Sequence, residues 1–157
     1  MSGSRSHVND SGKDNFAPRR KPRKPIRTLV VDDSPRAIGA IRGLLKNRSE
    51  IELVGFAGDG EEGVSQAEDL QPDLILMDLQ MPKLDGLSAI RLVRSCLLRV
   101  RIIVITVNHG EELRQACQKG GADGFVVKDR LYPDLLAEIH RIFGGHAPEC
   151  GAPLIRC

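Results

Sequence analysis

The chain has 157 residues, of which 41% are hydrophobic and 28% charged, a composition typical of one globular domain with some length to spare. It has no Trp, one Tyr and four Phe, so its core must be aliphatic, and a formal net charge of +2 excludes a strongly acidic or basic protein overall. The longest apolar run, at 102–107, is too short to cross a bilayer, and the N-terminus lacks the apolar stretch of a secretory signal, so we expect a cytoplasmic protein with no membrane association.

The first 25 residues carry most of the positive charge. They contain seven Lys/Arg and two Asp, which leaves sixteen basic and nineteen acidic residues in 26–157. Because residues 1–25 have almost no apolar side chains, they are predicted to be a disordered basic leader. The run RRKPRKP at 19–25 could contact nucleic acid or an acidic partner, and a solubilising leader is the alternative interpretation.

From Ile26 onward, strand and helix patterns alternate. Five β-rich segments predict strands at 26–31, 51–58, 73–78, 101–106 and 123–128. Helical spacing follows each of them, in the sets Ala37, Ile41, Leu44, Leu45 and Arg48; Val64, Ala67 and Leu70; Leu87, Ile90, Val93 and Leu97; residues 110–119; and Leu131 to Phe143. This alternation predicts an α/β domain over 26–143, with a doubly wound five-stranded parallel sheet, and leaves a short tail at 144–157.

Polar side chains stand where the predicted strands end. Asp32 and Asp33 follow the first strand, and Asp78, Thr106 and Lys128 end the third, fourth and fifth. Carboxyl ends of parallel strands share one edge, so we expect these side chains to converge. Clustered carboxylates repel one another unless a cation lies among them, and Mg²⁺ prefers such oxygen ligands.

The same set of side chains is suited to a phosphoryl group. Lys128 can neutralise a phosphoryl oxygen and Thr106 can donate a hydrogen bond to another. The chain lacks a Gly-rich phosphate loop of the type that ATPases and GTPases use, so the phosphoryl group is expected on the protein itself, with Asp78 as the nucleophile. Taken singly, such residues are usually turn, cap or solvated positions, and it is their combination that indicates a site.

Four segments together resemble the receiver domain of bacterial two-component response regulators: VVDDS (30–34), LILMDLQMPKLDG (74–86), VIT (104–106) and GADGFVVKD (121–129). The resemblance covers residues 26–143. It implies a (βα)5 fold with the flavodoxin-like strand order 2-1-3-4-5. It also implies a phosphoacceptor that takes its phosphoryl group from a histidine kinase or phosphotransfer protein and catalyses no other reaction.

The resemblance implies roles for individual residues. Asp78 matches the phosphoaccepting aspartate, Asp33 the acid that binds Mg²⁺ directly, and Asp32 its partner. The backbone carbonyl of Gln80 is a further implied metal ligand. Thr106 matches the switch hydroxyl and Lys128 the lysine that pairs with the phosphate. Phe125 matches the switch aromatic.

Two features qualify the resemblance. Asp129 after the lysine, and GFAGDGEEG at 55–63, are similar to the subfamily whose outputs are helix-turn-helix domains, yet only 14 residues follow Phe143, too few for such an output. DNA binding is therefore expected only if an output domain was removed, and a downstream protein or a second copy is the other implied partner. Val107 is bulkier than the small residue usual after the switch hydroxyl, and we expect it to crowd the phosphoryl site.

Two other functions are alternatives for this sequence. A phosphorylation-independent binding module would use the basic leader for nucleic acid or an acidic partner. A phosphohydrolase with an Asp nucleophile usually needs a second acid where this chain has Gln80. The four cysteines contain no C-x-x-C and are expected to be free thiols, and the spacing of His146, Cys150 and Cys157 matches no zinc site.

Overall fold

A computed structural model describes residue 3 and residues 24–144. Most of the predicted leader and tail, with His146, Cys150 and Cys157, therefore lies outside the described residues. The elements, in chain order, are β1 (Ile26–Val31), α1 (Pro35–Leu45), β2 (Ile51–Ala57), α2 (Gly60–Leu70), β3 (Leu74–Asp78), α3 (Gly86–Cys96), β4 (Arg101–Thr106), α4 (Glu111–Gly120), β5 (Gly124–Val127), a 3-10 turn (Lys128–Arg130) and α5 (Leu131–Phe143). Within residues 24–144, no helix combines the length and apolar character needed to cross a membrane.

The five strands form one parallel sheet in the order β2-β1-β3-β4-β5. β3 lies at the centre, and all five of its residues are buried. A strand covered on both faces has no solvent-facing side to make polar, which explains the continuous apolar run that precedes Asp78. The predicted doubly wound fold and its strand order are confirmed.

Two aliphatic cores cover the two faces of the sheet. On one face, helices α2, α3 and α4 contribute Ala67, Ile90 and Cys117 among others. On the other face, α1 and α5 contribute residues such as Ile41 and Leu135. Each helix therefore buries one apolar stripe against the sheet, as the predicted helical spacing requires.

Side-chain caps begin three of the helices. Ser34 accepts a hydrogen bond from the Ala37 backbone N–H at 3.3 Å, and Asp59 accepts one from Glu62 at 2.8 Å. Asp85 caps α3 in the same way, accepting from Ser88 at 3.0 Å. These caps satisfy backbone donors that have no partner within the first helical turn.

Several predicted boundaries differ from the observed ones by about one to three residues. Helix α1 ends at Leu45, so Arg48 lies in the following turn, and Leu97 ends α3 as its C-cap. Strand β5 ends at Val127, and Lys128 begins the 3-10 turn. The last paired residue of β4 is Thr106, opposite Val127, so the ladder gives residue 128 no partner strand to extend along.

At the amino edge of the sheet, Arg94 of α3 links α3 to residues that precede β4 and β5. Its guanidinium donates to the carbonyls of Val100 at 2.5 Å and Gly121 at 2.9 Å, and to Asp123 Oδ2 at 2.6 Å. Asp123 also pairs with Arg101 at 3.0 Å. This network fixes the end of α4 and the start of β5 to the end of α3.

Candidate functional site

Three carboxylates meet at the carboxyl edge of the sheet, as the positions of Asp32, Asp33 and Asp78 predicted. One oxygen from each lies within 4.8 Å of those from the other two. They come together because β1 and β3 are paired neighbours and end at the same level, with Val31 opposite Met77. Asp32 and Asp78 are buried, being 1% and 4% exposed, while Asp33 faces solvent.

Lys128 bridges the two buried acids. Its Nζ lies 2.7 Å from Asp32 Oδ2 and 3.4 Å from Asp78 Oδ2. Desolvation by burial lowers the pKa of Lys128, but the bond to Asp32 and the charge of Asp78 outweigh it, and the pKa is raised above its ordinary value. The ammonium therefore stays charged between the two carboxylates.

The charge of the cluster is not balanced by this one lysine. Burial raises the pKa of Asp78, the nearby Asp32 carboxylate raises it further, and Lys128 only partly offsets both effects. Asp32 Oδ1 accepts a hydrogen bond from the Ser34 backbone N–H at 2.9 Å. Asp32 Oδ2 is buried and accepts no well-formed hydrogen bond among the described residues, although the Lys128 ammonium is nearby.

This donor set fits a hard divalent cation. It provides carboxylate oxygens alone, and the exposed Asp33 leaves a side open to water. Mg²⁺ is held in proteins by one or two carboxylates and several waters. Gln80, two residues beyond Asp78, lies in the exposed β3–α3 loop.

Thr106 is fully buried at the end of β4, beside β3, where Asp78 pairs with the preceding Ile105. Its Oγ1 accepts a hydrogen bond from the Asn108 backbone N–H at 3.2 Å. An accepting hydroxyl keeps its own proton free to donate elsewhere. Val107, next in the chain, is half exposed.

Phe125 of β5 is half-buried and packs on the α4 side of the sheet. The Arg114 guanidinium of α4 lies over its ring, 4.9 Å from the centroid. This contact was not predicted from the sequence, because the two residues belong to different elements and neither stands in a local pattern that marks a pair.

A second contact that the sequence did not reveal lies beside the site. Lys83 in the β3–α3 loop pairs with Asp59 at the start of α2, at 2.7 Å. The residues are 24 positions apart. The sequence indicates only that Asp59 begins a helix, which accounts for the capping oxygen Oδ1. It does not indicate that the other oxygen, Oδ2, pairs with Lys83.

Comparison with known proteins identifies the family of this chain. The family model described as the response regulator receiver domain matches residues 28–140. The nitrate/nitrite response regulator protein NarL of Escherichia coli is 38% identical over 122 residues, which cover 78% of this chain and 56% of that protein. A protein-glutamate methylesterase/protein-glutamine glutaminase of Geobacter sulfurreducens is 37% identical over 105 residues, 67% of this chain and 28% of that protein. The chain thus spans about half of the length of the first of these curated relatives and less than a third of the second.

Solved structures show the same fold. The response regulator domain of Thermotoga maritima CheB has a TM-score of 0.71 and 29% identity, and the match covers 78% of this chain and 98% of that one. The signal receiver domain of a NarL from Mycobacterium tuberculosis has a TM-score of 0.73 and 26% identity, and the match covers 78% of this chain and 99% of that one. A chain of the CheX–CheY–BeF3–Mg²⁺ complex from Borrelia burgdorferi has a TM-score of 0.72 and 26% identity, and the match covers 76% of this chain and 90% of that one. This chain therefore belongs to the response regulator receiver domain family.

Proposed function

We propose that the chain is a phosphoacceptor of two-component signalling and that Asp78 receives the phosphoryl group. The observation that carries the proposal is the meeting of three carboxylates and Lys128 at one edge of the sheet. Such a cluster has an excess of negative charge that a divalent cation can offset, and the cation and Lys128 together can then hold a phosphoryl group. We propose no catalytic activity beyond the chain's own phosphorylation and dephosphorylation.

Asp32, Asp33 and Asp78, with the Gln80 backbone carbonyl, would hold Mg²⁺. When bound, the ion would offset negative charge on the phosphoryl oxygens. Lys128 supplies a positive charge between Asp32 and Asp78, and its Nζ, 3.4 Å from Asp78 Oδ2, lies close enough to contact a group attached there. The partial desolvation of these acids strengthens each of these interactions relative to water.

The transfer step needs only one nucleophile. An Asp78 oxygen forms a bond to phosphorus as the phosphorus–nitrogen bond of a partner's phosphohistidine breaks. The electron pair of that bond stays on the imidazole nitrogen, which takes a proton from solvent. The product is an acyl phosphate on Asp78, and Lys128 pairs with one of its oxygens. A histidine kinase or a phosphotransfer protein is the partner with this chemistry.

The response would pass through Thr106 and Phe125. The Thr106 hydroxyl, which accepts a hydrogen bond from the Asn108 N–H, would move toward the phosphoryl group and donate its proton to one of the phosphoryl oxygens. Its movement would draw in the loop before α4 and open space into which the Phe125 ring can turn. The change is a shift between two populated states, and a downstream partner would recognise the altered surface.

The test is phosphorylation by a small acyl phosphate such as acetyl phosphate, with and without Mg²⁺, followed by intact-mass measurement. We expect one added phosphoryl group, dependent on Mg²⁺, labile to hydroxylamine, and absent in Asp78→Asn. The matched control is Asp69→Asn, the same change at an exposed position of α2, which should retain the adduct.

The contrary outcomes are distinct. An adduct that persists in Asp78→Asn would move the phosphorylation site elsewhere. A chain that acquires no phosphoryl group from acetyl phosphate or from a phosphorylated histidine protein would fail as a phosphoacceptor, and the phosphorylation-independent binding module would then be the better description.

A further inference from the structure

The β3–α3 loop, residues 79–85, is held to helix α2 by an ion pair. Lys83 Nζ lies 2.7 Å from Asp59 Oδ2. Asp59 is fixed in turn, because its Oδ1 accepts the Glu62 backbone N–H at 2.8 Å and caps α2. The two oxygens of one carboxylate thus connect a helix start to a loop that follows a different strand.

The backbone beside this pair is in close contact as well. Gly60, next to Asp59, has no room for a Cβ because the Leu84 carbonyl oxygen, next to Lys83, occupies that position. Gly86, at the end of the loop, is pressed in the same way against the Asp78 carbonyl. The loop is therefore in contact with α2 at Lys83 and Leu84, and the residue that follows it, Gly86, is in contact with the end of β3.

Lys83 adopts a conformation that a lysine rarely takes. Its φ is 65°, in the left-handed region, and among the described non-Gly residues only Gln71 shares a positive φ. For a residue with a Cβ this region costs roughly 1–2 kcal/mol, so glycine is the common choice there. The ion pair with Asp59 offsets part of that cost.

The loop so held contains Gln80, whose backbone carbonyl is the metal ligand in the proposed function. Gln80 is exposed, so its side chain is not held by packing, and its backbone N–H is a hydrogen-bond partner of the Asp78 carboxylate. We propose that the Lys83–Asp59 pair positions the β3–α3 loop and thereby keeps the Gln80 carbonyl in place for the cation, an inference that rests on the proposed function. Lys83 is then a positioning residue and not a ligand.

A competing interpretation gives the opposite sign. If Lys83 acted only through its positive charge near an acidic cluster, removing that charge would strengthen divalent cation binding. If the pair positions the loop, removing either partner must weaken binding. An exposed ion pair without any effect on the site would leave binding unchanged.

The experiment is isothermal titration of Mg²⁺ into the whole chain at low ionic strength. Lys83→Gln and Asp59→Asn should each raise the dissociation constant about two- to fivefold, the range expected from an exposed ion pair. Asn is a good N-cap, so Asp59→Asn removes the charge and keeps the cap. The double variant should be no weaker than either single variant, since both remove the same contact.

Lys83→Arg should restore near-normal affinity. Lys119→Gln, the same change at an exposed position near the end of α4, is the matched control and should leave the dissociation constant unchanged. Independently of metal, amide hydrogen exchange at residues 79–84 should be faster in Lys83→Gln than in the unaltered chain.

Two results would overturn the inference and leave the proposed function standing: Mg²⁺ binding by Lys83→Gln that is tighter than, or equal to, that of the unaltered chain. Failure of the unaltered chain to bind Mg²⁺ at all would overturn both this inference and the metal site of the proposed function.

Discussion

The guanidinium of Arg114 lies over the ring of Phe125, 4.9 Å from its centroid, and joins α4 to β5. A cation over an aromatic face contributes about 0.5–1 kcal/mol at an exposed site. Since this contact belongs to the present position of the ring, it opposes the inward turn that we propose for the phosphorylated state. Arg114→Gln should therefore favour the switched state about two- to fivefold. NMR spectra of the Phe125 ring during titration with beryllofluoride and Mg²⁺ would measure the population.

Arg42 provides the control for this change, because it covers Phe56 of β2 at 4.5 Å in the same manner. Arg42→Gln should leave the response to beryllofluoride as it is. Equal effects of the two substitutions, or a smaller switched population in Arg114→Gln, would contradict a specific role for Arg114.

Asp78→Asn should stabilise the metal-free chain, by about 0.5–2 kcal/mol at neutral pH, because a buried carboxylate is exchanged for a neutral amide. The pKa of Asp78 is raised in the folded state, first by burial and then by Asp32. Below the ordinary value of 3.8 the acid is protonated in both states, and its ionisation costs nothing. The cost then grows as the pH rises from 3.8 to the folded-state pKa and is constant above it.

Urea unfolding at a series of pH values, without divalent cations, measures that difference. The advantage of Asp78→Asn should be missing in acid and complete near neutrality, and Asp69→Asn should show no comparable trend. A gain that is largest at low pH would mean that the folded state favours the ionised Asp78.

Gly86→Ala should destabilise the fold by about 1–3 kcal/mol, since overpacking of a close backbone contact forces the chain to shift. The added Cβ would overlap the Asp78 carbonyl oxygen, which belongs to the central strand and cannot move aside. Gly39→Ala is the control: it lies on α1 with open space around it, and alanine there should stabilise by up to about 1 kcal/mol. Denaturant midpoints that change in the same direction for both variants would refute this account.

Val107→Ala should increase the rate of phosphorylation by acetyl phosphate severalfold. Val107 follows Thr106 and is 49% exposed at the edge of the site, so a smaller side chain gives the donor more room. Stability should change by no more than about 0.5 kcal/mol, as is usual for surface substitutions. Leu98→Ala, at a 75% exposed position, should not affect the rate. An unchanged or slower rate in Val107→Ala would show that this residue does not crowd the site.

Patterns in the sequence were sufficient for the sheet and for the convergence of the acids. The apolar run before Asp78 and the alternation of strand and helix both follow from burial, which acts on local segments and leaves a periodic trace. The boundaries of the elements were predicted less well, because the end of β5 depends on the length of β4 and not on Lys128 itself.

Contacts between distant segments left no such trace. The Lys83–Asp59 pair joins a loop to the start of a helix, and the bonds from Arg94 join α3 to residues just before β4 and β5. A charged residue in any of these segments looks the same in the sequence whether or not it makes such a contact. The unfavourable φ of Lys83 likewise becomes visible only in three dimensions, because a lysine in a turn-rich segment is ordinary in itself.

The two ends of α4 are held very differently. Its C-terminal end closes on Gly121, whose carbonyl accepts a bond from Arg94 at 2.9 Å. Its N-terminal end begins at Gly110, which offers no side-chain cap and follows directly on the loop after Thr106. A displacement that starts at Thr106 would therefore tilt the helix about its fixed C-terminal end, so that its first turn travels furthest and its last turn keeps its place.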